Sequence, residues 1–210
     1  IESQLRAMGF SLDWSREKFT LDPEISKIVY GTFVKLYTDQ LIYRGTRLVN
    51  WCVRDYTTLS DQELEEKDQS DQLYYLDYGP VTVATTRPET IFADAAVAVN
   101  PKDKRFKKLI GQEAIIPIIN KKIPIIADAA VETDFGTGAL KVTPGHDLTD
   151  YEIGQRHNLE IISIIDFKGK MVTPDVPDIN GLKIMEARTK TLEILTAQKK
   201  LIKTESLNHS

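Results

Sequence analysis

The stretch GTGALKVTPGHDLTDY, Gly136–Tyr151, decides the fold and holds most of the candidate chemistry. Alternation along Ala139–Thr143 makes a strand and puts Lys141 and Thr143 on one of its faces. Pro144-Gly145 makes a turn. Asp147 and Asp150, three residues apart, then share one face of the first turn of a helix over about 147–157. Two readings compete. In one, Asp147 is an N-cap, Asp150 its partner, and no ligand is involved. In the other, two carboxylates beside a lysine, a threonine and His146 exceed what a cap requires, and suit a site for an ammonium group and a polar side chain. His146 reads as a base, or as a solvated or hydrogen-bonded loop residue.

Upstream, Ala84-Thr85-Thr86-Arg87-Pro88-Glu89-Thr90 ends another β-run in hydroxyls, an arginine and a proline. Thr86 and Glu89 have capping-box spacing with Pro88 in the first turn. Strand-end hydroxyls and helix-start amides also make a polar shelf for a ligand. Around these motifs lie short β-rich runs: 73–78, 81–86, 96–99, 114–119, 123–127, 139–143 and 161–165, punctuated by Gly, Pro, Asn or Asp. So many strands in so short a segment predict a β-rich mixed α/β core, a barrel or folded-over sheet. A second helix is expected over 184–199, with Ile184, Met185, Leu192, Ile194 and Leu195 as its apolar face. Before the core, Asp22-Pro23-Glu24 opens a helix that Gly45 can end, and 46–53 reads as a strand. The expected organisation is a helical lead-in with a first strand over 1–61, a polar surface loop over 62–72, and the β-barrel core with its helices over 73–210.

Composition narrows the class of protein. The 210 residues are 41% hydrophobic and 28% charged, an ordinary globular balance. No run approaches the roughly 20 apolar residues that span a bilayer, so no membrane partner is expected. The net charge of −4 argues against a protein that grips nucleic acid over its whole surface. A local patch, Lys102, Lys104, Arg105, Lys107 and Lys108, reads first as a solvated surface. Cys52 is the lone cysteine, which fits a reducing, cytoplasmic setting and makes a zinc knuckle at Cys52-Val53-Arg54-Asp55 improbable. His157, near a helix C-terminus, reads as a dipole partner. The start, Ile1-Glu2-Ser3-Gln4, resembles neither a signal peptide nor a natural initiation site, and a piece of a longer chain is expected.

Together the motifs carry a specific resemblance. TTRPETIFADAAVAVNP from Thr85 and FGTGALKVTPGHDLTDYEIGQRH from Phe135 to His157 resemble the editing-domain signatures of class I valyl-tRNA synthetases. DWSREKFTLD from Asp13 and LIYRGTRLVNWC from Leu41 resemble the segment leading into that domain. Leucyl and isoleucyl editing domains are the near alternatives; Glu89, the Lys141–Thr143 pair and the LVNW segment favour valyl. A non-catalytic module that binds the tRNA end is the alternative of a different class. Two departures from the family pattern stand out: the absent zinc knuckle, and Gly145 where alanine is common, which is expected to loosen the turn.

The resemblance implies hydrolysis of threonine wrongly esterified to tRNA(Val). Asp147 would hold the ammonium group. Asp150, Thr143 and Lys141 would line a polar pocket. Arg87 and Thr90, with Thr85, Thr86, Glu89 and His146, would engage the adenosine or aminoacyl end. No cofactor is expected for this chain, which has no H-I-G-H-like or K-M-S-K-S-like element to build an ATP site, and the departure at Cys52-Val53-Arg54-Asp55 leaves no metal to carry over from the family. ATP and magnesium would belong to the parent enzyme's synthetic site. The expected partners are the tRNA(Val) 3' end and the rest of the parent synthetase, with the chain itself monomeric.

Overall fold

The computed structural model describes residues 1–65 and 69–209. They divide into two compact units, Ile1–Arg47 and Leu48–Ser210.

The first unit contains α1 (Glu2–Ala7), a single 3-10 turn at Trp14–Arg16, and α2 (Pro23–Thr38). Pro23 occupies the first turn of α2, where its missing N–H costs nothing. Asp22 stands at the N-cap position, but its carboxylate accepts the Phe19 amide at 3.0 Å instead of capping the helix. The helix stops at Thr38, well before Gly45, because Gln40 takes a left-handed φ of 59°.

The second unit is β-rich and mixed α/β. A hairpin of β1 (Asn50–Cys52) and β2 (Thr57–Leu59) precedes the core. The expected strand over 46–53 is thus confined to its last part. A 3-10 turn covers Asp61–Glu63 and β3 begins at Gln69, so the end of the polar stretch 62–72 belongs to a strand. Residues 66–68 of that stretch lie outside the described residues.

The core strands are β3 (Gln69–Asp77), β4 (Thr82–Thr85), β5 (Ala96–Val99), β6 (Glu113–Ile115), β7 (Lys122–Ala127), β8 (Ala139–Val142) and β9 (Leu201–His209). They form a three-stranded sheet, β4-β3-β9, and a four-stranded sheet, β6-β7-β5-β8. All pairings are antiparallel except β5 with β7. The sheets meet at both ends: β4 lies beside β8, and the Ile115 amide at the β6 edge donates to the Tyr78 carbonyl just beyond β3 at 2.9 Å. Between them one apolar core gathers Leu76, Val83, Ile91, Val97, Val99, Ile116 and Ile125.

Two helices complete the unit, α3 (Leu148–Arg156) and α4 (Ile184–Ala197). On α4 the buried line is Ala187, Thr191 and Leu195, whereas Met185 is 63% exposed. Of the expected apolar face, Leu195 is buried, Ile194 packs against the core, and Ile184 and Leu192 are half-buried, so only Met185 is turned outward.

Three local expectations change. The run 161–165 is not a strand; only Ile165 bridges to Met171. Its donors are spent elsewhere: the Ile164 amide goes to His146 Nε2 at 3.0 Å. The Thr86–Glu89 capping box does not form. A 3-10 helix over Pro88–Ala93 has Arg87 at its N-cap, and the Thr85 hydroxyl accepts the Arg87 amide. Gly145 does not loosen its turn. A Cβ there would sit 2.1 Å from the Ile162 carbonyl oxygen, so glycine admits a close backbone approach.

Candidate active site

The two motifs quoted from the sequence converge because β4 and β8 lie side by side. Each strand ends in its motif, and together they open onto a cavity of about 520 Å³. Thr85, Thr86, Arg87, Thr90, Lys141, Thr143, His146, Asp147 and Asp150 all line it. The strand β9 and the loop 130–138 supply apolar wall at Leu207, Val131 and Phe135. Of the candidates, Glu89 alone is not brought there. It is fully buried and held by Arg188 of α4 through two 2.9 Å bonds, so it anchors the 3-10 helix to α4.

The cavity floor is a closed polar network. Lys141 Nζ donates to Thr90 Oγ1 at 3.0 Å, Asp94 Oδ1 at 3.2 Å and Thr143 Oγ1 at 2.5 Å. Thr90 passes its own proton to the Arg87 carbonyl at 2.9 Å. The Thr143 hydroxyl donates to Asp94 Oδ1 at 2.7 Å, and Tyr78 donates to Asp94 Oδ2 at 2.6 Å. Asp94 and Tyr78 have no solvent exposure. Burial pushes the Asp94 carboxyl up from its ordinary range, opposed by Lys141 and by the Tyr78 and Thr143 hydrogen bonds. Burial and the adjoining carboxylate push Tyr78 well up.

Neither Asp94 nor Tyr78 was among the residues singled out from sequence. Asp94 had one legible signal: it is the lone charge in the apolar run from Ile91 to Val99. An unpaired carboxylate cannot sit in such a run, so a buried cation must meet it.

Above the floor stand the two carboxylates of α3. Asp147 is the N-cap: its Oδ1 accepts the Asp150 amide at 3.0 Å, and the side chain is exposed to the cavity mouth. Asp150 is buried, and its Oδ2 accepts the Thr143 amide at 2.8 Å. Burial lifts its pKa to about 6, with Lys141 and the Thr143 amide opposing and the neighbouring Asp147 and Asp94 adding to the rise.

His146 is not placed to take a proton. Its Nε2 accepts the Ile164 amide, and burial, aided by Arg87 and Lys141, holds its pKa near 4. The Arg87 guanidinium donates to the His146 carbonyl at 2.8 Å, tying the two motifs across the cavity. His157 stands at the C-terminal cap of α3, as expected, and also faces Asp128 Oδ2 at 2.9 Å.

This fold and cavity fit the family found by comparison. Residues 1–204 match the family "tRNA synthetases class I (I, L, M and V)", and the chain belongs to it. Within that family the similarity is to valine–tRNA ligases. The chain is 50% identical to that of Thermus thermophilus over 211 residues, 98% of this chain and 24% of that protein. It is 46% identical to that of Thermotoga maritima and 47% to that of Fusobacterium nucleatum, covering the whole chain and 25% and 24% of those proteins. The chain therefore spans about a quarter of the length of the curated relatives it matches. A solved ternary complex of a leucyl enzyme from Agrobacterium radiobacter, with tRNA and LeuAMS, covers 99% of this chain and 35% of its own. That likeness, at 15% identity and a TM-score of 0.47, carries no part of the reading.

Proposed function

We propose that this chain is the editing domain of a valine–tRNA ligase and hydrolyses threonine from mischarged tRNA(Val). The observation that carries the reading is the pair Asp147 and Asp150 standing over a polar floor at the end of a cavity lined by both sequence motifs. Valine and threonine are nearly isosteric. An apolar pocket rejects an added hydroxyl poorly, valyl enzymes being the standing example of that limit. A second, polar pocket reverses the preference: valine's methyl would leave a buried polar atom unpaired, costing about 1–3 kcal/mol.

In this reading the substrate ammonium binds Asp147, whose Oδ2 is not used by the cap. The amino-acid side chain faces Thr143 and Asp150. Arg87 and Thr86 meet the terminal adenosine. Water adds to the ester carbonyl carbon, the bond to the ribose oxygen breaks, and free threonine leaves tRNA with its terminal hydroxyl restored. The ester is already activated, so positioning and electrostatics suffice, with the vicinal ribose hydroxyl orienting the water.

The parent enzyme would join valine to tRNA(Val) with ATP and magnesium in the cytoplasm. This chain has no H-I-G-H-like or K-M-S-K-S-like element to hold ATP, and no step here runs through it. The deciding experiment is deacylation of threonyl-tRNA(Val) by this chain and by the full-length protein. Hydrolysis of threonyl ester ahead of valyl ester supports the reading. No hydrolysis by the full-length protein overturns it.

A further inference from the structure

The geometry points to Asp94 as a positioning residue that sets the direction of hydrogen bonding at the cavity floor, so that the site takes side chains that donate. This inference rests on the editing reading and adds to it the rule by which a side chain is chosen. The polar floor looks at first like a mixed set of donors and acceptors. Counting protons shows otherwise. Lys141 has three N–H donors, and Thr90, Asp94 and Thr143 take all of them. Thr143 has one, and Asp94 Oδ1 takes it. Thr90 has one, and the Arg87 carbonyl takes it. Asp94 can absorb protons from Lys141, Thr143 and Tyr78 at once because an ionised carboxylate only accepts.

What the floor leaves for a ligand is one lone pair on each of Thr90 Oγ1 and Thr143 Oγ1 and the second oxygen of Asp150, whose Oδ2 is taken by the Thr143 amide. All are acceptors. A ligand side chain is therefore bound where it brings a proton. A methyl cannot, and neither can a group of the same size that only accepts. Asp94 touches no ligand: it is fully buried and absent from the cavity lining. It acts through Thr143 and Lys141. Replacing Asp94 with leucine, of similar size, removes the acceptor that holds the Thr143 proton. The threonine hydroxyl would then rotate its own proton toward the cavity.

The experiment uses the full-length protein and tRNA(Val) chemically charged with threonine, valine or 2-amino-3-fluorobutyrate. The last matches threonine in size and cannot donate. The wild type is expected to hydrolyse the threonyl ester at least about tenfold faster than the fluoro ester, which falls with valine. In Asp94→Leu the ratio of threonyl to fluoro rates is expected to fall toward one, a change that general loss of packing would not produce. Melting curves check that the variant folds; if it does not, the three wild-type rates decide alone. Equal wild-type rates on threonyl and fluoro esters overturn the inference while the editing reading stands. An unchanged ratio in folded Asp94→Leu overturns the role of Asp94. Hydrolysis of none of the three esters overturns the editing reading and this inference with it.

Discussion

The two ends of α3 each hold a buried aspartate, and the two behave oppositely. Asp150 in the first turn and Asp128 beside the last are each 6% exposed. Yet Asp150 sits at a pKa of about 6 and Asp128 at about 2. The helix dipole favours the reverse, since its positive end is the one near Asp150. Partners make the difference. At Asp128, burial alone would raise the pKa, but two bonds from Arg156, the Ala130 amide and His157 outweigh it. At Asp150 burial prevails. The nearest cation, Lys141, is spent on Asp94, and two further carboxylates stand close. One end is satisfied and serves as a clamp, fixing the loop after β7 to α3. The other has no cation of its own, because Lys141 is shared with Asp94.

That comparison can be broken at several points. Asp147→Ala is expected to have the largest effect, a loss of deacylation of about a hundredfold or more, equivalent to ~2.7 kcal/mol. Losing the N-cap would by itself cost only about 0.5–2 kcal/mol of stability. Asp147→Asn separates the roles, because the amide oxygen still caps and the charge is gone. If Asn restores the rate as well as the melting temperature, Asp147 is a cap and nothing more.

At the opposite end, Asp128→Ala is expected to cost about 2 kcal/mol of stability at neutral pH. Its folded pKa lies below the ordinary 3.8, so its contribution is present above that value and is lost as pH falls through about 2. Melting curves from neutral pH down to about pH 2 would show the wild type converging on the variant. Asp150 has the opposite sign. Its raised pKa means the folded state holds the proton more tightly, so stability falls as pH rises from 3.8 to about 6.

The same titration should be visible in catalysis. Deacylation is expected to drop about tenfold per pH unit below about 6, as Asp150 takes up a proton and ceases to be a pure acceptor. Asp150→Asn should leave a low rate without that limb. A limb that persists in the variant belongs to another group. Thr143→Val should narrow the threonine–valine gap by about tenfold, while Thr143→Ser keeps it. The smallest effect expected is none. Among the described residues no cluster of His, Cys, Asp or Glu can hold a metal, and Cys52 Sγ pairs with Asp55 at 3.1 Å. A chelator should leave melting and deacylation unchanged, and stoichiometric bound zinc would contradict that.

Local pattern was enough to place much of this. Short β-rich runs bounded by turn residues located β5, β7 and β8, and the spacing of Asp147 and Asp150 located the start of α3, because these signals are written into neighbouring residues. It failed where pairing is long-range. Residues 201–208 of β9 are mostly exposed, so no apolar pattern marks it, and its ladder with β3 makes it a strand. Residues 161–165 have the composition of a strand, but the Ile164 amide goes to His146 Nε2 instead of a strand partner. At the site, sequence alone identified Lys141, Thr143, Asp147 and Asp150 as a cluster. Only tertiary structure joined them to Asp94 and Tyr78, turned Glu89 away to Arg188, and set which atoms donate. Proton direction is decided by the last partner in a network, and that partner here lies 47 residues from Lys141 in the chain.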